Sequence, residues 1–282
     1  MTTIPERDLT RTHGPVEEPA NRTWWEQHKT AVLLTVYRLL LLAAALVAWQ
    51  LLSGPVLDPT LVSSPTAVGH QLITWSDDGI LWRNTWITLK EVILGFAFGA
   101  ITGAAAGFVI TSARLLARVL DPFIMGLYSI PKVALAPLFI VWFGIGIEMK
   151  VVLAAATVFF LVFINTAHGV REIDPALLDA VRLMGGRRRD LLLKVILPGS
   201  MPGLITGLRV SVPYALIGAV IGELVASNQG LGYLINDSAS EFNIAGVFAA
   251  LIVLSVIAAI LNQGVTLLAR HSNRWKPLEG RE

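Results

Sequence analysis

Unbroken apolar runs of about twenty residues recur along this chain, each long enough for a helix to cross roughly 30 Å of hydrocarbon. Inside a bilayer every backbone N–H and C=O must be paired within the protein, which leaves only helices or a closed barrel. A barrel needs alternating segments of about ten residues, and these runs do not alternate. Composition agrees. Of the 282 residues 54% are hydrophobic and only 15% are charged, whereas a soluble domain carries about a quarter charged residues. The expected fold class is an all-α membrane protein. There is no cysteine, so disulfides and thiol chemistry are excluded.

Six transmembrane helices are predicted, at about Ala31–Leu52, Val92–Thr111, Asp121–Phe143, Val151–Val170, Leu204–Ala226 and Ile244–Leu268. The third contains Pro131 and Pro137, tolerated in a membrane helix where neighbours satisfy the freed backbone groups. The polar tail ahead of the first run is too long for a typical cleaved signal, so that run reads as a retained anchor. Basic residues set the orientation. With the N-terminus inside, the inner segments hold Arg7, Arg11, Arg22, Lys29, Arg114, Arg118, Arg171, Arg182, Arg187, Arg188, Arg189, Lys194, Arg270, Arg274, Lys276 and Arg281, which is 16 of the 22 basic residues. The outer segments hold Arg83, Lys90 and Lys150. This positive-inside bias places both termini in the cytoplasm. The chain divides into a polar tail over 1–28, expected to be disordered, a membrane domain over 29–270 and a cytoplasmic tail over 271–282.

The inner segment between the fourth and fifth spans has a pattern of its own. Asp174-Pro175 reads as a helix start, with Asp174 as N-cap and Pro175 at the first helical position. Ala176, Leu177, Ala180, Val181 and Met184 then form an apolar stripe, and Gly185-Gly186 stops the helix. A second amphipathic segment carries Asp190, Leu191, Leu192, Val195 and Ile196, and Pro198 is expected to end it. Periodicity alone leaves two readings open. One is a hairpin lying on the membrane surface with its basic residues toward anionic lipid; the other is an apolar stripe offered to a groove on a soluble partner.

The residues Asp179-Ala180-Val181, Gly185 and Val195-Ile196-Leu197-Pro198 keep every spacing of the signature loop of bacterial ATP-binding-cassette importer permeases. That loop reads Glu-Ala-Ala, three residues, Gly, nine residues, Ile-x-Leu-Pro. The departures are Asp for Glu, Val for the second Ala and Val for Ile. Further stretches, Ile130–Pro137, Trp142-Phe143-Gly144, Ile164-Asn165-Thr166, Gly207-Leu208-Arg209 and Gly230–Leu234, resemble the nitrate/sulfonate/taurine branch of that family. The resemblance covers roughly residues 70–275 and leaves out the N-terminal tail.

It implies a type I importer permease fold in a bacterial inner membrane, with Asp179, Ala180, Val181, Gly185, Val195, Leu197 and Pro198 forming the ATPase-coupling loop. The implied partners are two cytoplasmic ATPases, an extracytoplasmic solute-binding protein and a second permease chain, expected to be identical, with membrane lipid around them and no nucleic acid. The implied cargo is a small anion of the sulfonate, taurine or nitrate class, or alternatively a pyrimidine-type vitamin precursor. The chain itself has no Gly-x-x-x-x-Gly-Lys-Ser/Thr phosphate loop. It is therefore expected to be a transport subunit rather than an enzyme, with ATP and magnesium on the partner ATPase and no cofactor of its own.

Ionisable residues at membrane depth are candidates for function. Lys132 follows a proline midway along the third span and either lines an anion path or sits nearer the inner interface if the helix breaks at Pro131. Glu223, near the outer end of the fifth span, either pairs with a neighbour or faces a vestibule. Asn165, His168, Ser211 and Tyr214 are polar candidates for the translocation path, each set against a helix-packing hydrogen bond. A rival reading, an ATP-independent carrier or membrane-embedded enzyme, would use Lys132 and Glu223 as a buried pair. Gly95, Gly99, Gly103 and Gly107 recur every four residues and form a close-packing face, toward either this chain or a second copy.

Overall fold

A computed structural model describes residues 24–56 and 58–272. The terminal stretches 1–23 and 273–282, which hold most of the two predicted tails, lie outside the described residues. Among the described residues every element is helical: α1 Trp24–Leu52, α2 Pro59–Val62, α3 Pro65–Asp77, α4 Ile80–Ser112, α5 Arg114–Ser129, a 3₁₀ turn Lys132–Leu135, α6 Ala136–Phe143, α7 Ile147–Arg171, α8 Pro175–Leu183, α9 Arg188–Leu191, a π turn Leu192–Ile196, α10 Leu197–Ala226, α11 Leu231–Ser240 and α12 Ile244–Ser272. Five of the helical stretches are long and apolar enough to cross a membrane, and a sixth forms if the α5–α6 pair, bent by 82°, is one span.

The third predicted span is sharply bent at its middle, at the break expected as one alternative at Pro131. Ile130 and Pro131 adopt extended backbone, and the chain restarts as a 3₁₀ turn before α6. The proline ring excludes α geometry for the residue before it, so the helix ends at Ser129. Two boundaries also move. Helix α4 begins at Ile80 rather than Val92, and α3 occupies a stretch read as connection; the added turns 80–91 and α3 are too polar or too short to read as membrane spans from the sequence.

Residues 24–52 form a unit of their own, the single helix α1, most of whose apolar side chains from Val32 to Leu52 are exposed. The second unit, from Ser53 onward, is built around α7. Hydrocarbon offers no hydrophobic drive between helices, so close backbone approach through small residues has to hold them. The four-residue glycine ladder of α4 does this on one side of α7. A Cβ at Gly99 would stand 2.5 Å from the Ala155 carbonyl oxygen, and one at Gly103 would stand 2.5 Å from that of Phe159. From α10, Gly203, Gly207, Gly218 and Gly222 approach α7 at Gly169, Val162, Ala154 and Lys150. The ladder thus meets this same chain. Helix α7 is clamped between two glycine faces over its whole length.

Candidate functional site

The hairpin between α7 and α10 is built largely from local capping. Asp174 Oδ1 accepts the Ala176 N–H at 2.8 Å and starts α8, as its sequence pattern predicts. At the other end the Gly186 N–H donates to the Val181 carbonyl at 2.9 Å and the Gly185 N–H to the Arg182 carbonyl at 3.0 Å. This paired stop requires a left-handed residue, and Gly185 supplies it with φ +79°. Gly186 is needed for a different reason: a Cβ there would lie 2.5 Å from Val181 Cγ1. Two ion pairs brace the segment, Arg182–Asp179 at 2.8 Å and Lys194–Asp190 at 2.7 Å. Asp190 also accepts the Arg187 N–H at 3.0 Å.

The apolar residues divide into two sets. Ala176, Leu177, Ala180, Leu183 and Met184 are exposed, with Leu183 at 89% and Met184 at 86%. Leu178, Leu191, Leu192 and Ile196 instead line a cavity of about 800 Å³ that also takes in Val109 and Thr111 of α4. The predicted stripe on α8 is thus largely free, while the second segment turns part of its apolar face inward and buries Leu191.

Pro198 does not end that second segment. Residues 188–226 run as one continuous helical stretch, passing through the π turn Leu192–Ile196 into α10. A proline inside a helix removes one N–H and clashes with the carbonyl four residues back. Widening the preceding turn to π spacing gives that ring its room. The consequence is mechanical: the hairpin joins α10 through helix rather than through a loop.

At the opposite end of α7 lies a polar cluster that sequence reasoning missed. Lys150, read as a residue of an outer loop, sits in the first turn of α7 at 3% exposure and pairs with Glu91 of α4 at 3.0 Å. It also donates to Ser227 Oγ at 2.7 Å. Beside it Glu223 Oε1 accepts from Thr88 Oγ1 at 2.6 Å and Oε2 accepts the Gly232 N–H at 2.6 Å. The Leu231 N–H donates to Thr88 Oγ1 at 2.8 Å, and the Gly230 N–H to Asn84 Oδ1 at 2.6 Å. Three successive N–H groups around the start of α11 are therefore capped by side chains of α4 and α10. Glu223 pairs with neighbours rather than facing a vestibule within this chain. One signal was available: Asn84, Thr88 and Glu91 share one face of α4.

The remaining candidates do not converge on one site. Lys132 Nζ lies 4.7 Å from the ring centroids of both Tyr128 and Phe160 and donates to the Tyr128 carbonyl. Its partners differ from those of Glu223, so the Lys132–Glu223 pair required by a carrier or enzyme is absent, and the buried pair is Glu91–Lys150. Asn165 donates to the Leu161 carbonyl at 2.8 Å and packs against Gly207. Ser211 is fully buried and donates to the Leu208 carbonyl at 3.0 Å. His168 pairs with Glu172 at 3.2 Å on the surface. Tyr214 is 43% exposed on α10.

Residues 93–275 match the family described as binding-protein-dependent transport system inner membrane component. A putative aliphatic sulfonates transport permease protein of Bacillus subtilis is 33% identical, over 84% of this chain and 87% of its own length. A formylaminopyrimidine transport permease protein of Halalkalibacterium halodurans is 29% identical, over 76% of this chain and 86% of its own. The fold is similar to a chain of the MetNI methionine ABC transporter in an inward facing conformation. That match has a TM-score of 0.63 at 21% identity and covers 71% of this chain and 99% of that one.

Proposed function

The chain belongs to the family of binding-protein-dependent transport system inner membrane components, the permeases of ATP-binding-cassette importers, and from that premise we propose that it carries small sulfonate-type anions inward, driven through its Asp174–Pro198 hairpin. It is a transport subunit, and ATP hydrolysis belongs to a separate ATPase chain. The observation that carries the coupling role is the continuity of 188–226. A partner that grips the exposed Leu177, Ala180, Leu183 and Met184 displaces a self-braced hairpin, and the π turn passes that displacement to α10. Helix α10 packs on α7 through glycines along its length, so its tilt changes the packing of the whole unit. The permease then has inward- and outward-open states whose balance ATPase binding shifts.

Orientation follows from the same reading. The hairpin carries Arg182, Arg187, Arg188, Arg189 and Lys194, and this basic cluster supports a cytoplasmic hairpin and cytoplasmic termini. The other end, with α11, faces the solute-binding protein, and a second copy of this chain completes the pore. The sulfonate assignment rests on the resemblance to the aliphatic sulfonates permease and on Lys132, a cation near the break between α5 and α6. The formylaminopyrimidine relative supports the second reading, a pyrimidine-type vitamin precursor. A thermal-melting screen of the cognate binding protein decides between them. Stabilisation by taurine or alkanesulfonates is the expected result; stabilisation by formylaminopyrimidine alone overturns the anion reading.

A further inference from the structure

Coupling through the exposed stripe of α8 makes no use of the cavity of about 800 Å³ between the hairpin and the bundle. Three arginines line that cavity, Arg171 of α7, Arg182 of α8 and Arg188 of α9, and among the described residues no acidic one does. We propose that it holds the headgroup phosphate of one anionic phospholipid, clasped by these three arginines between the bundle and the inner face of the hairpin.

Depth is the first argument for a lipid. Ser112 is the last residue of the α4 span and Arg171 the last of the α7 span, and both line the cavity. The cavity therefore sits where two apolar helices run out of hydrocarbon, at the level of the headgroups. Its other walls are largely apolar, formed by Val109, Leu115, Leu178, Leu191 and Ile196. Such a lining fits a ligand that carries hydrocarbon beside its charge, whereas a bare anion would leave those walls wet. The volume lies high in the usual ligand-pocket range of about 300–1,000 Å³, well above what a phosphate group alone fills.

Charge is the second argument. A guanidinium carries five N–H donors. Arg171 uses one on Asp121 Oδ1 at 2.7 Å and Arg182 one on Asp179 Oδ1 at 2.8 Å, so each keeps donors for a phosphate. Arg188 is exposed and has no ion pair among the described residues. With both aspartates counted, the three arginines still carry one positive charge in excess, that of Arg188. Guanidinium–phosphate pairing is charge-assisted and bidentate in its best geometry. A zwitterionic headgroup brings its own cation toward the arginines, so a net anionic lipid is preferred. Held there, the lipid ties α8 and α9 to the ends of α4 and α7. That its leaflet is the cytoplasmic one rests on the proposed orientation; the site itself does not.

The test is the melting temperature of the full chain, delipidated in detergent and titrated separately with dioleoylphosphatidylglycerol, dioleoylphosphatidylcholine and inorganic phosphate. Phosphatidylglycerol should raise it saturably and the other two should not. Arg188→Gln should need roughly fivefold more phosphatidylglycerol for the same rise. Arg189→Gln removes the same charge from the adjacent exposed residue, which does not line the cavity, and should titrate like the native chain. Neither substitution breaks a side-chain bond among the described residues, and melting without lipid checks that both variants fold. Equal stabilisation by phosphatidylcholine, a native titration for Arg188→Gln, or an equal loss in Arg189→Gln overturns the site. An equal rise from inorganic phosphate that Arg188→Gln abolishes overturns lipid as the occupant. Every arm uses the permease chain alone, so the outcome is independent of ATPase docking and of the cargo.

Discussion

At the Lys150 end of α7, side chains of α4, α7 and α10, the Ser227 hydroxyl and the N–H groups around the start of α11 bond one another at 2.6 to 3.0 Å, largely buried. At the Arg171 end, the hairpin is shaped mainly by its own caps and by ion pairs that are mostly exposed. One end is held mainly by bonds between residues 59 to 146 positions apart, whereas the hairpin's own bonds span only two to five. The contrast fits two mechanical duties. A fixed end keeps the helices in register, while a docking element must hold its shape with its outer surface left free.

The contrast predicts a ranking of effects. Lys150→Met removes one partner of a buried pair and should cost about 3–5 kcal/mol of stability, read by unfolding of the purified chain in detergent. A cost below about 1 kcal/mol would remove the distinction between the ends. Gly103→Val forces side-chain atoms into the Phe159 backbone and should cost about 1–3 kcal/mol by overpacking, with the loss spread over α4 and α7. Gly185→Ala puts a Cβ into a left-handed position at about 1–2 kcal/mol. Hydrogen exchange should localise that loss, with faster exchange at the amides of 175–191 and none at those of α7. Arg182→Ala breaks an exposed pair and should change stability by roughly 0.3–0.5 kcal/mol, the smallest effect of the series.

The same contrast explains what the sequence made legible. The hairpin's helix start and its glycine stop were readable because Asp174, Pro175, Gly185 and Gly186 act on neighbours within a few residues. The glycine ladder of α4 announced close packing, but not that α7 is the helix it meets, since spacing along one helix says nothing about its partner. Lys150 looked like one charge in an outer loop. Its burial depends on Glu91, 59 positions away, and on Ser227, 77 away, and no local pattern encodes such pairings. Pro198 misled for another reason: the residue normally stops a helix, and here the preceding turn widens to π spacing and lets the helix continue.

Ala180 offers the most direct test of the coupling role. It is exposed on α8 among Leu177, Leu183 and Met184, so Ala180→Asp should leave the chain's own stability within about 0.5 kcal/mol of native while placing a charge in the docking surface. The measurement is co-purification of the partner ATPase with the variant chain from membranes, alongside the variant's own melting curve. The account predicts a normally inserted, normally melting permease that no longer retains the ATPase. A variant that retains the ATPase at native yield would contradict it.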